Sequence, residues 1–276
     1  MSGIHDRARQ GFGRAGAVAA YERGRPGYPE EAVAELVRRL GVAPGATVLD
    51  LAAGTGKLTR QLLATGADLL AVEPVAAMRD RLARALAPGP GDAPGRPAWV
   101  RVVGGTAEAI PVRDGSLDAV TVGQAFHWFD GPRAVAELHR VLRPGGWLGL
   151  IWNVRDESRP AVAAITAILD RHAGDAPRYR DGRWRAAFDG GDGFTPLGQR
   201  TFHHLHDLDR AAVLDRFASI SFIAALPDAD RARVLAEIDQ VIAAEPSLAG
   251  QDRIGLPYRT DLYWCRRRGD GGSWPA

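Results

Sequence analysis

The chain has one cysteine, Cys265, and one lysine, Lys57, among its 276 residues. A lone cysteine excludes an intramolecular disulfide framework and fits a reducing compartment. The 35 basic residues are almost all arginine and are offset by 33 acidic ones, leaving a formal net charge of +2. That balance carries no nucleic-acid footprint. The one basic block, Arg266-Arg267-Arg268, precedes a Gly-rich tail and reads as a solvated end. No apolar run approaches the about 20 residues needed to span a bilayer. The N-terminus, Met-Ser-Gly-Ile-His-Asp-Arg, lacks the apolar stretch of a signal peptide. These absences lead us to expect a soluble cytoplasmic protein with neither a membrane nor a nucleic acid as partner. Internal repeats are absent as well.

What is present is an ordinary globular composition, 46% hydrophobic and 25% charged, arranged as alternating strand and helix patterns. Residues 30–40 place Val33, Leu36, Val37 and Leu40 on one helical face. Strands are expected at 46–51, 68–73, 98–103, 117–124 and 147–152, with helices at 57–65, 75–86 and 131–142. A Gly- and Pro-rich loop is expected at 88–97, and Arg143-Pro144-Gly145-Gly146 is a helix stop. This alternation predicts a parallel sheet with helices on both faces. Beyond Asn153 the rhythm changes. Residues 160–172 and 209–243 read as helical, 196–207 as extended and 258–266 as a last strand. Helices inserted around late strands suggest a cap over the C-terminal edge of the sheet, where open α/β folds hold ligands.

The most informative stretch is 48–60, Val-Leu-Asp-Leu-Ala-Ala-Gly-Thr-Gly-Lys-Leu-Thr-Arg. An apolar strand ends in Asp50, a turn with Gly54 and Gly56 follows, and a helix begins. Such a turn brings backbone close to a ligand. Glu73, at the end of the next apolar run, is spaced to reach ribose hydroxyls. A phosphate-binding loop would need Gly at position 51 and Ser or Thr at 58, and both are leucine. A dinucleotide site would need a third glycine where Thr59 stands, and Asp50 would repel a pyrophosphate. A carboxylate there suits a ligand with an ammonium and a sulfonium instead, as in S-adenosylmethionine.

Several ordered stretches then resemble the class I S-adenosylmethionine-dependent methyltransferases, in the methyltransferase-11-like group and nearest its trans-aconitate-type small-molecule branch. They are Tyr21-Glu-Arg-Gly-Arg-Pro-Gly-Tyr-Pro29, Val48–Gly56, Ala71-Val72-Glu73-Pro74, and 105–111. Leu117-Asp118-Ala119-Val120, 125–129 and 138–146 complete the set. The resemblance implies a Rossmann-like α/β fold with a mostly parallel seven-stranded sheet, an antiparallel last strand, and a helical cap inserted around the late strands. It divides the chain into an N-terminal lid segment at 1–30 and a cofactor-binding core at 31–157. Cap helices and a late strand follow at 158–250, then a last core strand at 251–268 and a flexible tail at 269–276. By the same resemblance, Asp50, Ala52, Gly54, Thr55 and Gly56 hold the methionyl end and Glu73 the ribose. Thr106, Ala107 and Glu108 face the adenine, Gln124 lies beside the methyl-transfer axis, and Tyr21 closes over the cofactor. The sequence departs from the family pattern at Ala52, usually Gly, and at Thr106, often Asp.

Methyl transfer from a sulfonium is an in-line displacement that needs alignment, desolvation and, for some acceptors, a base. His127 is the candidate base; the alternative is that His127 and Trp128 only wall the cofactor. Arg25, Tyr28, His127, Trp128, Trp152 and Asn153 are the candidate acceptor-binding residues. His203, His204 and His206 lack a carboxylate or cysteine at ligand spacing, so no metal site is expected. Trp184, Phe188, Phe217, Phe222 and Tyr258 read as the apolar lining of the cap. The expected function is methyl transfer from S-adenosylmethionine, leaving S-adenosylhomocysteine, to an O or N atom of a small molecule, in bacterial secondary metabolism. A non-methylating, cyclase-type enzyme and a cofactor-binding interaction protein are the alternatives on the same scaffold.

Overall fold

The computed structural model describes residues 22, 24–87, 99–174, 177–189, 191–245 and 251–269. Tyr21, the loop at 88–97, Ala98 and residues 270–276 of the expected tail lie outside the described residues. The strands are β1 (Thr47–Leu51), β2 (Asp68–Val72), β3 (Val100–Val103), β4 (Leu117–Gly123), β5 (Leu142–Arg155), β6 (Gly198–Leu208) and β7 (Ile254–Arg266). The helices are α1 (Glu30–Leu40), α2 (Lys57–Leu62), α3 (Ala76–Leu86), α4 (Gly131–Val141), α5 (Pro160–Asp170), α6 (Arg210–Ala218), α7 (Ser221–Ala224) and α8 (Asp228–Ala244).

Val48, Leu49, Leu51, Leu69, Val72, Val120 and Val122 are all buried, as strands covered on both faces require. They form the centre of a seven-stranded sheet in the order β3-β2-β1-β4-β5-β7-β6. β1 pairs in parallel with β2 and β4, β2 with β3, and β4 with β5. β7 runs antiparallel to β5, because Arg267 exchanges backbone bonds with Gly145 and Gly146 while Pro257 accepts from Asp156. The expected antiparallel last strand is therefore present. All of the parallel strands β1 to β4 end on the side where the glycine turn and Glu73 lie, the edge at which open α/β sheets bind ligands.

Four elements differ from the sequence expectation. Helix α4 ends at Val141, and β5 begins at once, five residues before the expected strand. Arg143-Pro144-Gly145-Gly146 is a bulge, marked by the register shift between Leu117 and Ala119 on β4, and not a connecting loop. The helical stretch at 209–243 is three helices, broken at Ser219-Ile220 and at Leu226-Pro227. β7 starts at Ile254 because Pro257, which reads as a strand breaker, needs to supply only its carbonyl there. Short 3-10 turns at Tyr179–Asp181 and Arg183–Phe188 had no counterpart in the sequence reading.

The described residues fall into two compact units. The first lies within Tyr28–Trp152, Pro177–Phe202 and Asp261–Ala276. Its core joins α1 (Ala32, Val33, Leu36, Leu40) to Val48, Leu58, Leu62, Leu69, Ala119 and Ile151. Helix α1 carries Glu30 and Glu31 in its first turn and Arg38 and Arg39 in its last, matching the helix dipole. Hydrogen bonds from Arg38 and Arg39 hold the Glu35 carboxyl at about 2. The second unit lies within Met1–Gly27, Asn153–Ala176 and His203–Thr260. Its core is Ile165 and Leu169 of α5, Val213 and Phe217 of α6, Ile223 of α7, and Val234, Ile238 and Ile242 of α8. Leu208, Ile220, and Ile254, Leu256 and Tyr258 of β7 complete it. No helix among the described residues is long and apolar enough to cross a membrane.

Candidate functional site

The glycine turn between β1 and α2 takes three left-handed residues at alternate positions: Ala52 (φ 56°), Gly54 (φ 60°) and Gly56 (φ 85°). At Gly56 a Cβ would also press on the end of the Leu82 side chain, 2.2 Å from its Cδ1. Ala52 carries a Cβ into the same region, at a cost of about 1–2 kcal/mol. Ala52→Gly is accordingly expected to raise stability by about 1 kcal/mol, read as a higher Tm, part of the gain being offset by the freer unfolded chain. A lower Tm would show that Ala52 is not strained.

Two carboxylates brace this turn. The Glu73 side chain is buried; Oε2 accepts from Gly54 N at 2.9 Å and Oε1 from Val75 N at 2.8 Å, joining the turn to the start of α3. Asp50 is 1% exposed and sits behind the turn. Its Oδ2 accepts from the Thr59 hydroxyl at 2.5 Å and its Oδ1 from the Thr121 hydroxyl at 3.3 Å. Burial, with a smaller push from the Glu73 charge, raises the Asp50 carboxyl to about 6. Thr55 Oγ1, in the turn itself, is buried without a hydrogen-bond partner.

Past β3, Thr106 and Ala109 form an isolated bridge. Ala107 is buried, and Glu108 Oε1 accepts from Asp130 N at 3.0 Å. Helix α4 fixes this corner from below: Glu137 accepts from Ile110 N, and Arg140 donates to the Ile110 and Val112 carbonyls and to Asp114. At the end of β4, Gln124 is left-handed (φ 64°), and its N–H donates to Ile151 O at 2.9 Å. Non-glycine residues in that region concentrate at binding sites. The Tyr28 hydroxyl closes on the neighbouring Gly123, where a Cβ would lie 2.6 Å from it. Gln61 clamps Tyr28 through both backbone polar groups.

A 3-10 turn, Phe126–Trp128, follows. Trp152 Nε1 donates to His127 Nδ1 at 3.2 Å. An indole N–H can only donate, so Nδ1 must accept, and the neutral His127 ring carries its proton on Nε2. Trp152 is itself immobilised, with Tyr179 and Trp184 ring centres each 4.8 Å away and Tyr263 at 5.9 Å. Asp261 ties this cluster down by accepting from the Tyr179 and Thr201 hydroxyls, each at 2.7 Å. Trp184 and Phe188, expected in the cap lining, belong to this cluster of the first unit.

Arg25 and Asn153 lie in the second unit. Arg25 donates to Ser219 Oγ and O; Asn153 donates to Gly27 O and accepts from the Thr260 hydroxyl. Among the described residues no group of three or more His, Cys, Asp or Glu is placed to hold a metal ion.

Residues 49–150 match the family model for the methyltransferase domain. An uncharacterized methyltransferase of Mycobacterium tuberculosis is 41% identical over 244 residues, covering 88% of this chain and 91% of its own. The chain belongs to the class I S-adenosylmethionine-dependent methyltransferase family. The solved YcgJ protein of Bacillus subtilis shares the fold at a TM-score of 0.55, with 19% identity, over 87% of this chain and all of its own. So does a phosphoethanolamine N-methyltransferase of Haemonchus contortus, solved with phosphomonomethylethanolamine and S-adenosylhomocysteine. It gives a TM-score of 0.58 at 12% identity, over 98% of this chain and 61% of its own.

In the first unit of this methyltransferase, Asp50, Ala52, Gly54, Thr55, Gly56 and Glu73 come together at one turn, while Gln124, Tyr28, His127, Trp128 and Trp152 gather at the ends of β4 and β5. Sequence reading missed Thr59 and Thr121, which hold Asp50. A signal existed for Thr121: it is a polar residue set between Val120 and Val122 in a buried strand, and it pairs directly with Asp50 across β1 and β4. It also missed the bond from Trp152 to His127 and the anchoring residues Tyr179, Asp261 and Tyr263.

Proposed function

We propose that this methyltransferase uses S-adenosylmethionine to methylate an oxygen or nitrogen atom of a small molecule, as in secondary metabolism. The observation that carries the reading is the pair of buried carboxylates, Asp50 and Glu73, set around a glycine turn. Two carboxylates repel phosphate but suit a ligand that brings an ammonium, a sulfonium and ribose hydroxyls. The unpartnered Thr55 hydroxyl gives the turn one further polar group for such a ligand. The residues present thus fit the cofactor that the family implies.

When bound, S-adenosylmethionine supplies a methyl group on an excellent sulfonium leaving group. The chain has to bind, orient and exclude water. Glu73 keeps its bonds to Gly54 and Val75 and uses its remaining lone pairs on the ribose. Asp50, Ala52, Gly54, Thr55 and Gly56 serve the methionyl end. Glu108 Oε1 accepts from Asp130 N, which fixes the Thr106-Ala107-Glu108 corner that reads the adenine edge. Gln124 and Tyr28 border the reacting end.

His127 takes a different part from the base expected from sequence. With Nδ1 accepting from Trp152, the neutral ring carries its proton on Nε2, so toward an acceptor it acts as a hydrogen-bond donor and not as a base. His127→Gln, which retains an N–H, is expected to keep turnover within about threefold. His127→Phe is expected to lower turnover roughly 100-fold, within the range for positioned proton-bearing groups, with cofactor affinity unchanged in both. Equal loss in the two variants would restore the base. The function itself is tested by incubating the protein with methyl-labelled S-adenosylmethionine and a metabolite extract. Products heavier by one methyl support it; cofactor binding without any methylated product refutes the transfer.

A further inference from the structure

The second unit contains a buried guanidinium that bonds to no carboxylate among the described residues. Arg216, in the last turn of α6, is 4% exposed. Its Nε donates to the Tyr258 hydroxyl at 2.8 Å, and its Cζ lies 5.8 Å from the centre of the Tyr258 ring. Nη1 is fully buried and has no hydrogen-bond partner. On the same tyrosine, the His204 ring lies 5.8 Å away, and its Nε2 is also buried without a partner. Burial, together with the adjacent His203, holds His204 below the ordinary imidazole range. The backbone of Gly24 packs directly on α6 at this residue, where a Cβ on Gly24 would stand 2.4 Å from Arg216 Cα.

The tyrosine ring and the carbonyl end of α6 offset part of the positive charge but do not neutralise it. An unpaired buried charge is among the most expensive features a fold can carry, and a guanidinium fork is matched by a carboxylate in two parallel bonds. We infer that Arg216 and Tyr258, with His204 beside them, form a binding site for a small carboxylate. A single arginine with one hydroxyl and a neutral imidazole matches the single charge of one carboxylate group, which favours a carboxylate, even one end of a dicarboxylate, over the two charges that phosphate brings to one centre. The site lies wholly within the second unit and involves none of the cofactor residues, so the inference stands whether or not methyl transfer does.

Scanning fluorimetry of the full chain in succinate, in acetate, in inorganic phosphate and in sodium chloride of equal ionic strength tests it. The expected result is a Tm that rises with succinate and acetate above the chloride control. Arg216→Met is expected to have a higher ligand-free Tm than the parent, because the uncompensated charge is gone, and to show no carboxylate-dependent rise. Tyr258→Phe keeps the ring, loses the hydroxyl that aims the guanidinium, and is expected to weaken succinate binding about tenfold by calorimetry, one lost charge-assisted hydrogen bond. No carboxylate-dependent rise in the parent, or a full rise retained in either variant, overturns the site. A larger rise with phosphate overturns the carboxylate assignment. If Arg216→Met does not fold, Tyr258→Phe alone decides. Whether succinate also gains a methyl group, read by mass, separates a ligand that is turned over from one that is only held.

Discussion

Glu73→Ala is expected to weaken S-adenosylmethionine binding by about 1.5–3 kcal/mol, or roughly 10- to 150-fold, measured by calorimetry. The size follows from what the carboxylate does at once. It is a charged acceptor for the ribose in the proposed function, and it holds the Gly54 N–H of the turn and the Val75 N–H at the start of α3. Removing it orphans both amides, so a fall in Tm accompanies the loss of affinity. The ribose role is separated from the bracing role by a cycle with Glu73→Gln, which keeps the shape. A 2′-deoxy analogue of S-adenosylhomocysteine should bind the parent more weakly than the full ligand and bind Glu73→Gln no more weakly than the full ligand does. If the analogue loses equally in both proteins, Glu73 braces the turn and does not touch the ribose.

That cycle is needed because the sequence disclosed the position of Glu73 and not its bonds. What local chemistry dictates was legible. Gly56 reads as a glycine position from its turn, and its left-handed φ of 85° shows why. The apolar runs of β1, β2 and β4 are too short and too continuous for anything but covered strands. What depends on partners distant in sequence was not legible. Trp152 and His127 meet only because β4 and β5 are neighbours, 25 residues apart along the chain. The indole bond that sets the imidazole tautomer therefore leaves no trace in either residue's surroundings. Arg143-Pro144-Gly145-Gly146 carries every sign of a helix stop and a loop, yet a bulge lets the strand absorb it. The turns at Tyr179–Asp181 and Arg183–Phe188 are shorter than any periodicity can register, and they place Tyr179 and Trp184 against Trp152. Nothing in the sequence around Arg216 marks it off from the other arginines of the helical stretch, since its burial comes from Tyr258 and other residues far along the chain.

Asp50→Asn is expected to make the ligand-free protein more stable at pH 7.5, by up to roughly 3 kcal/mol. The Asp50 carboxyl stands at about 6 in the folded chain against an ordinary value of 3.8. A raised value means that the folded state takes up a proton before the unfolded state does. The resulting stability is complete below 3.8 and is lost as pH rises through 6; above that, the fold carries a buried carboxylate at full cost. Asparagine removes the titration without stranding a polar group. Its carbonyl can accept from Thr59, and its amide can donate to Thr121 Oγ1, whose own proton can go to the Leu49 carbonyl 3.3 Å away. The gap between the two proteins should therefore be widest above pH 6.5 and close between pH 6 and 4. Groups such as Glu35, which titrates near 2, act equally on both and cancel. Denaturant unfolding across pH 4.5–8 measures the difference. A variant less stable than the parent at pH 7.5, or a gap that does not move with pH, would mean that Asp50 is stabilised where it stands. The expected gain has a functional cost, because the same substitution removes one of the two carboxylates that favour a cationic ligand and should weaken S-adenosylmethionine binding. A chain that keeps an unstable carboxylate beneath its glycine turn is trading stability for that charge.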